Sequence, residues 1–235
     1  MKKAVILGMS ALLLPSLLLT GCARLPKAGT ALTDKERKEA QSNCIGQYTA
    51  LGIVGGSLLG ILVSNKEDRM KGAILGGTAG GALAYSIAWG KCLKYFANTN
   101  SFPVADARAT ALAVGYTPQR GNEVRVQSFT VTPAMLAPGG NLNLAGSYYV
   151  MAPGDQKDVK VVETRTVHFY NADDKAWKEL GSDETTVTAA LGTRRSEGQT
   201  GMPREVAEGR YRVTFKVSAL DRQDQASQEI TIKKS

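Results

Sequence analysis

Histidine occurs once in this chain, at His168, and cysteine three times, at Cys22, Cys44 and Cys92. Nucleophile–base pairs and most structural zinc sites draw on those two residue types. A lone histidine in "TVHFY", between Val167 and Phe169, supplies neither and reads as a structural or surface side chain. Asp155, Asp158, Asp173 and Asp174 lack the regular ligand spacing of a calcium loop and read as solvated turn residues. No phosphate-binding loop is present. "GTRRSEGQTGMP", residues 192–203, reads as a loop between strands, with Arg194 and Arg195 on a solvated face or, alternatively, meeting an acidic partner. A nucleic-acid binder concentrates its charge on a folded domain with aromatics among the basic residues, whereas here the basic excess lies beside the apolar runs of the N-terminal half. No catalytic residues, cofactor, metal or nucleic acid are expected, and the chain reads as a non-enzyme.

The basic excess is unevenly placed. Residues 22–120 hold twelve basic and six acidic residues, whereas from Glu123 onward there are fifteen of each. The positive half begins with Lys2 and Lys3, an apolar stretch from Ala4 to Leu19, and "LTGC", residues 19–22. A basic end, an apolar core and small residues before a cut describe a secretory signal. The four last residues resemble the lipobox of bacterial lipoproteins. That resemblance implies cleavage before Cys22 and acylation of Cys22, palmitate included, with membrane lipid as the first partner. More than one acyl chain holds a protein stably on a bilayer. Ala23, where aspartate signals inner-membrane retention in enteric bacteria, implies an outer-membrane location facing the periplasm.

Two apolar runs follow, Tyr48 to Ser64 and Gly72 to Gly90, of 17 and 19 residues, joined by the charged "NKEDRMK". Thr33 and Glu36 form a capping-box pattern that starts a helix near Asp34. Gly52, Gly56 and Gly60 are spaced by four, as are Gly72, Gly76 and Gly80. At 3.6 residues per turn each trio lies on one helix face. In lipid, where close packing rather than the hydrophobic effect brings helices together, a face without side chains is a contact surface. The lengths sit at the lower end of what spans a hydrocarbon core. The competing expectation is a water-soluble or re-entrant hairpin whose glycines pack against the C-terminal half.

Folding the chain back about position 68 opposes residues whose numbers sum to 136. Gly56 then meets Gly80, Gly60 meets Gly76, and Cys44 meets Cys92. A Cys44–Cys92 disulfide is expected on this register, since export places both thiols where disulfides persist; two free thiols are the alternative. The stretch "GAILGGTAGG" resembles the glycine-zipper two-helix segment of bacterial outer-membrane lipoproteins of the SlyB and rickettsial surface-antigen type. The likeness covers roughly residues 46 to 90. It implies an envelope structural role. The charged turn and the cysteine pair depart from the family pattern.

The C-terminal half reads as strands. Alternation in "NLNLAGSYYV" and "RYRVTFKVSA" puts Tyr148 and Val150, and Tyr211, Val213, Phe215 and Val217, on buried faces. Further strands are expected over Glu123–Val131, Val161–Tyr170, near Trp177, Thr193–Thr200 and Gln228–Lys233. "AEGRYRV" resembles an immunoglobulin-type tyrosine corner, in which the Tyr211 hydroxyl bonds back to the backbone. The expected fold is therefore α+β in two parts: a glycine-zipper helical hairpin followed by an antiparallel immunoglobulin-like β-sandwich. The expected divisions are a signal peptide (1–21), a polar tether and helix start (22–43), the hairpin (44–96), a linker with a short helix (97–120) and the sandwich (121–235). The function expected is a membrane-anchored envelope lipoprotein with a structural or interaction role, forming homo-oligomers or binding envelope proteins. The alternative is an accessory lipoprotein of a secretion, pilus or transport assembly.

Overall fold

The computed structural model describes residues 32–54, 78–154 and 158–234. The expected signal segment, Cys22, Gly56, Gly60, Gly72 and Gly76 lie outside them.

Helix α1, Asp34–Val54, opens on the capping box. The Thr33 amide donates to Glu36 Oε2 at 2.8 Å, and the Glu36 amide to Thr33 Oγ1 at 3.3 Å, so two orphan donors of the first turn are satisfied. Helix α2 runs from Thr78 to Lys91, and a single turn, α3, from Leu93 to Phe96. Strand β1, Ala97–Asp106, follows directly. Helix α4, Ala107–Val114, is capped by the Asp106 carboxylate accepting from the Ala109 amide at 2.7 Å, and it stops at Gly115 with φ of 63°. Among the described residues no helix is long and apolar enough to cross a membrane.

After a 3-10 turn over Pro118–Arg120, the further elements are strands: β2 Glu123–Thr132, β3 Met135–Leu136, β4 Asn141–Met151, β5 Val159–Asn171, β6 Ala176–Ala189, β7 Gly192–Gly201, β8 Gly209–Ala219 and β9 Arg222–Ile232. They form a four-stranded sheet in the order β1-β7-β4-β2 and a five-stranded sheet in the order β3-β9-β8-β5-β6. Every pairing is antiparallel except β3 with β9. Period-two alternation sends Tyr211, Val213, Phe215, Val217 and Ala219 inward from β8, to meet Leu142, Leu144, Tyr148 and Val150 of β4 between the sheets. The Phe215 ring stacks on Phe129 at 5.4 Å and is tilted against Tyr148 at 6.1 Å. The seam between β2 and β9 is stitched by side chains: Asp224 Oδ2 accepts from the Val126 amide, and Gln228 both accepts from the Val131 amide and donates to its carbonyl.

This architecture corrects the expected fold class. The chain is predominantly β, built on two sheets, and it does not divide into a helical hairpin followed by an immunoglobulin-like sandwich. Residues 97–106 are an edge strand of the four-stranded sheet, although they precede the stretch expected to hold the sheets. The helices form no separate unit either. Ala40, Cys44, Ile45, Ala88, Trp89, Cys92 and Leu93 belong to the same buried cluster as Leu142, Val167, Leu180, Tyr211 and Ile230 of the sheets. The signal for β1 was masked by Asn98, Asn100 and Pro103, which suit turns; an edge strand tolerates proline because its outer backbone groups need no partner.

Candidate functional site

The distinctive local structure lies where the two helices meet the five-stranded sheet. Cys44 of α1 is joined to Cys92, just past α2, by a disulfide with Cα atoms 5.9 Å apart. Two further contacts run in the same direction: Gln41 Nε2 donates to the Tyr95 carbonyl at 2.8 Å, and Arg37 Nη1 to the Ala97 carbonyl at 3.4 Å. As α1 is followed backward the partner advances, so the two segments are antiparallel at this end.

Helix α2 then sinks onto β6. A Cβ added to Gly181 would lie 2.0 Å from the Gly90 carbonyl oxygen, and one added to Gly90 would lie 2.5 Å from Leu180 Cβ. The two backbones touch because neither residue has a side chain. On β6 this falls at a bulge, where Val167 pairs with Gly181 and His168 pairs with Glu179. Ser86, fully buried on α2, accepts from the Ala207 amide at 2.8 Å and lies 3.1 Å from the Tyr211 hydroxyl. Tyr211 donates to the Ala207 carbonyl at 2.7 Å, and burial pushes its hydroxyl up to about 12. Trp89 Nε1 donates to the Gly201 carbonyl. Ser86, Trp89, Gly90 and Gly181 therefore fasten helix to sheet. None of the four stands out in the sequence, since each depends on a partner more than eighty residues away.

A second polar cluster is sealed between the sheets. Glu163 and Arg165 of β5 are 1% and 3% exposed and form an ion pair at 2.7 Å. Tyr148 donates to Glu163 Oε1 at 2.8 Å and Ser196 to Oε2 at 2.6 Å; Arg165 also bonds Ser196 and lies over the Phe215 ring. Burial alone would raise the Glu163 carboxyl. Hydrogen bonds from Ser101, Ser196 and Tyr148, with the Arg165 charge, outweigh it and hold the group below its usual range. Burial and then the Glu163 charge push Tyr148 upward. Asp183, beside Arg165 on β6, is raised by burial. Arg194, expected on a solvated face, instead turns inward and donates to the Ser101 hydroxyl and carbonyl; Arg195 stays outside and pairs with Glu197. The strand expected over Thr193–Thr200 is β7, Gly192–Gly201, so the loop reading of residues 192–203 fails for most of its length.

His168 lies on the outer face of the five-stranded sheet, its imidazole lowered by burial against the opposing charge of Glu179. Nearby, Arg212 stacks over Trp177 at 4.0 Å and Arg210 over Tyr170 at 4.7 Å, and both arginines pair with Glu229. Among the described residues no group of three or more histidine, cysteine or acidic side chains is placed to hold a metal. Two cavities, one beside Arg165, Asp183 and Thr200 and one under Leu83, Ile87 and Phe169, measure about 10 and 20 Å³, the size of a water molecule rather than of an organic ligand.

Of the glycines singled out by their spacing, Gly52 lies in α1 and Gly80 in α2, while the other four lie outside the described residues. Gly90 on Gly181 is a close glycine-to-glycine contact that joins helix to strand, and Gly192 and Gly198 of β7 approach the β1 backbone as closely.

No family model matches this chain, and no curated protein matches it. Solved structures give distant likenesses. The alkylpurine DNA glycosylase AlkC of Pseudomonas fluorescens, bound to DNA containing an abasic-site analogue, is 14% identical over 88% of this chain and 49% of its own, with a TM-score of 0.38. A β-glucosidase of Erythrobacter marinus is 11% identical over 48% of this chain and 16% of its own, at 0.37. The sporulation control protein Spo0M of Bacillus subtilis is 10% identical over 48% of this chain and 50% of its own, at 0.32. The chain thus spans half or less of each of these proteins, and likenesses at such scores carry no argument.

Proposed function

We propose that the protein is a lipid-anchored envelope lipoprotein with a structural or interaction role, held by Cys22 in the outer membrane. Its apolar segment between Tyr48 and Ala82 associates with the bilayer, and its two-sheet body is presented to the periplasm. The observation that supports this reading is the Cys44–Cys92 disulfide. Disulfides persist in oxidising compartments outside the cytoplasm, and the N-terminal "LTGC" is the kind of segment that would take the chain there. The antiparallel run from Cys44–Cys92 through Gln41–Tyr95 sets α1 against the end of α2 and α3, next in sequence to that apolar segment.

Fractionation of cells carrying Cys22→Ser tests the reading. The native protein is expected in the membrane fraction, released by detergent and not by salt. The variant is expected as uncleaved precursor. A native protein recovered in the soluble periplasmic fraction would overturn the proposal.

A further inference from the structure

Buried polar groups without a hydrogen-bond partner are rare in folded proteins, and each one asks for an explanation. Two of them meet at one small space. Arg165 of β5 is 3% exposed; its Nη2 pairs with Glu163 and bonds Ser196, while its Nη1 has no partner among the described residues. Thr200 of β7 is also 3% exposed, and among the described residues its hydroxyl has no partner either. The two side chains come from opposite sheets, yet both line the cavity of about 10 Å³. Asp183, directly opposite Arg165 in the β5–β6 register, lines it as well. Most of the remaining wall is apolar, with Leu142 and Leu144 of β4 on one side and Trp89 of α2 and Leu93 of α3 closing the end.

We propose that this cavity is a binding site for a single structural water molecule, which accepts from Arg165 Nη1 and donates to the Thr200 hydroxyl and the Asp183 carboxylate. A space of about one water-sized probe holds a water when two to four polar groups surround it, and about three bonds is the usual number. The local charges select water over an ion. The Arg165 guanidinium repels a cation, and the carboxylates of Glu163 and Asp183 repel an anion. Size excludes an organic guest. With the water in place, both terminal nitrogens of Arg165 reach β7: Nη2 bonds Ser196 directly, and Nη1 reaches Thr200 through the water. Ser196 and Thr200 are both inward residues of that strand. The bridge therefore ties β5 and β6 of one sheet to β7 of the other, at the end that the helices close. It stands whether or not the chain carries a lipid anchor.

Thr200→Val keeps the shape of the side chain and decides the matter by sign. In urea titrations of full-length protein in detergent, loss of a water-bridged hydroxyl is expected to lower the folding equilibrium constant about fivefold, the worth of one ordinary hydrogen bond. A hydroxyl facing a dry space is instead an unsatisfied buried group, and replacing it with a methyl leaves the constant unchanged or raises it. Either of those results overturns the proposal. A high-resolution crystal structure of the native full-length chain gives a reading that does not depend on the variant folding. A density peak within hydrogen-bond distance of Arg165 Nη1, Thr200 Oγ1 and the Asp183 carboxylate is expected there. A native structure with no such peak, or with Arg165 Nη1 turned onto a protein acceptor, overturns the water site.

Discussion

The two-sheet body and the helix pair stabilise themselves by different means. The body is closed on itself: strands bury alternating faces against each other, and even its charged residues Glu163 and Arg165 find partners inside it. Among the residues whose burial is described, α1 buries Ala40, Cys44 and Ile45, and α2 buries Ser86, Ala88 and Trp89 near the sheet. The helices are also held by point fastenings: one disulfide, one glycine-on-glycine contact and five long-range hydrogen bonds. The body holds itself up, while the helix pair is attached to it.

Removing a partner from the body should cost most. Glu163→Ala leaves Arg165 buried and unpaired, and an expected loss of about 3–5 kcal/mol in a urea titration follows from breaking such a pair. The charge has a pH signature as well. Because the folded carboxyl is held below its usual range, its contribution is full at neutral pH and fades as pH falls through the folded value. Glu163→Gln should therefore show a flatter acid limb of stability than the native chain.

The helix attachment comes next. The Cys44–Cys92 bridge spans 48 positions, and chain entropy assigns such a loop about 4 kcal/mol. For C44S combined with C92S, hydrogen exchange should accelerate in α1 and α2 while β4, β5 and β8 remain protected. Equal acceleration everywhere would erase the contrast between body and attachment. Gly181→Ala forces a methyl against the Gly90 backbone, with an expected loss of about 1–3 kcal/mol and the same helix-selective exchange. Tyr211→Phe is the mildest. It removes the bond to Ala207 and the contact with Ser86, for about 1 kcal/mol in thermal unfolding.

What the sequence revealed follows the same division. The period-two runs over Asn141–Val150 and Arg210–Ala219 match β4 and β8 to within a residue because burial alternates along β8 and along β4 as far as Tyr148. The spacing around Tyr211 anticipated its bond to the backbone, a local contact four residues long. Thr33 and Glu36 likewise announced the start of α1. Long-range features stayed hidden. Glu163 and Arg165 occupy inward positions between Val161 and Val167, and nothing local shows that two charges can be accommodated there by Ser196 and Tyr148 from the opposite sheet. Strand β1 carries turn-forming residues that only its edge position makes acceptable. The glycine periodicity singled out residues 52 to 80, most of which lie outside the described residues, and no local pattern marked Gly90, Gly181, Gly192 and Gly198, whose close backbone contacts leave no room for a side chain.

The central claim, that this two-sheet protein is tethered through its N-terminal cysteine in an oxidising compartment, is tested most directly by intact mass spectrometry of detergent-extracted native protein without reductant. The account predicts a chain starting at Cys22 that carries diacylglycerol and an N-linked acyl group and is two hydrogens lighter for the Cys44–Cys92 bond. An unacylated chain of 235 residues with three free thiols would contradict it.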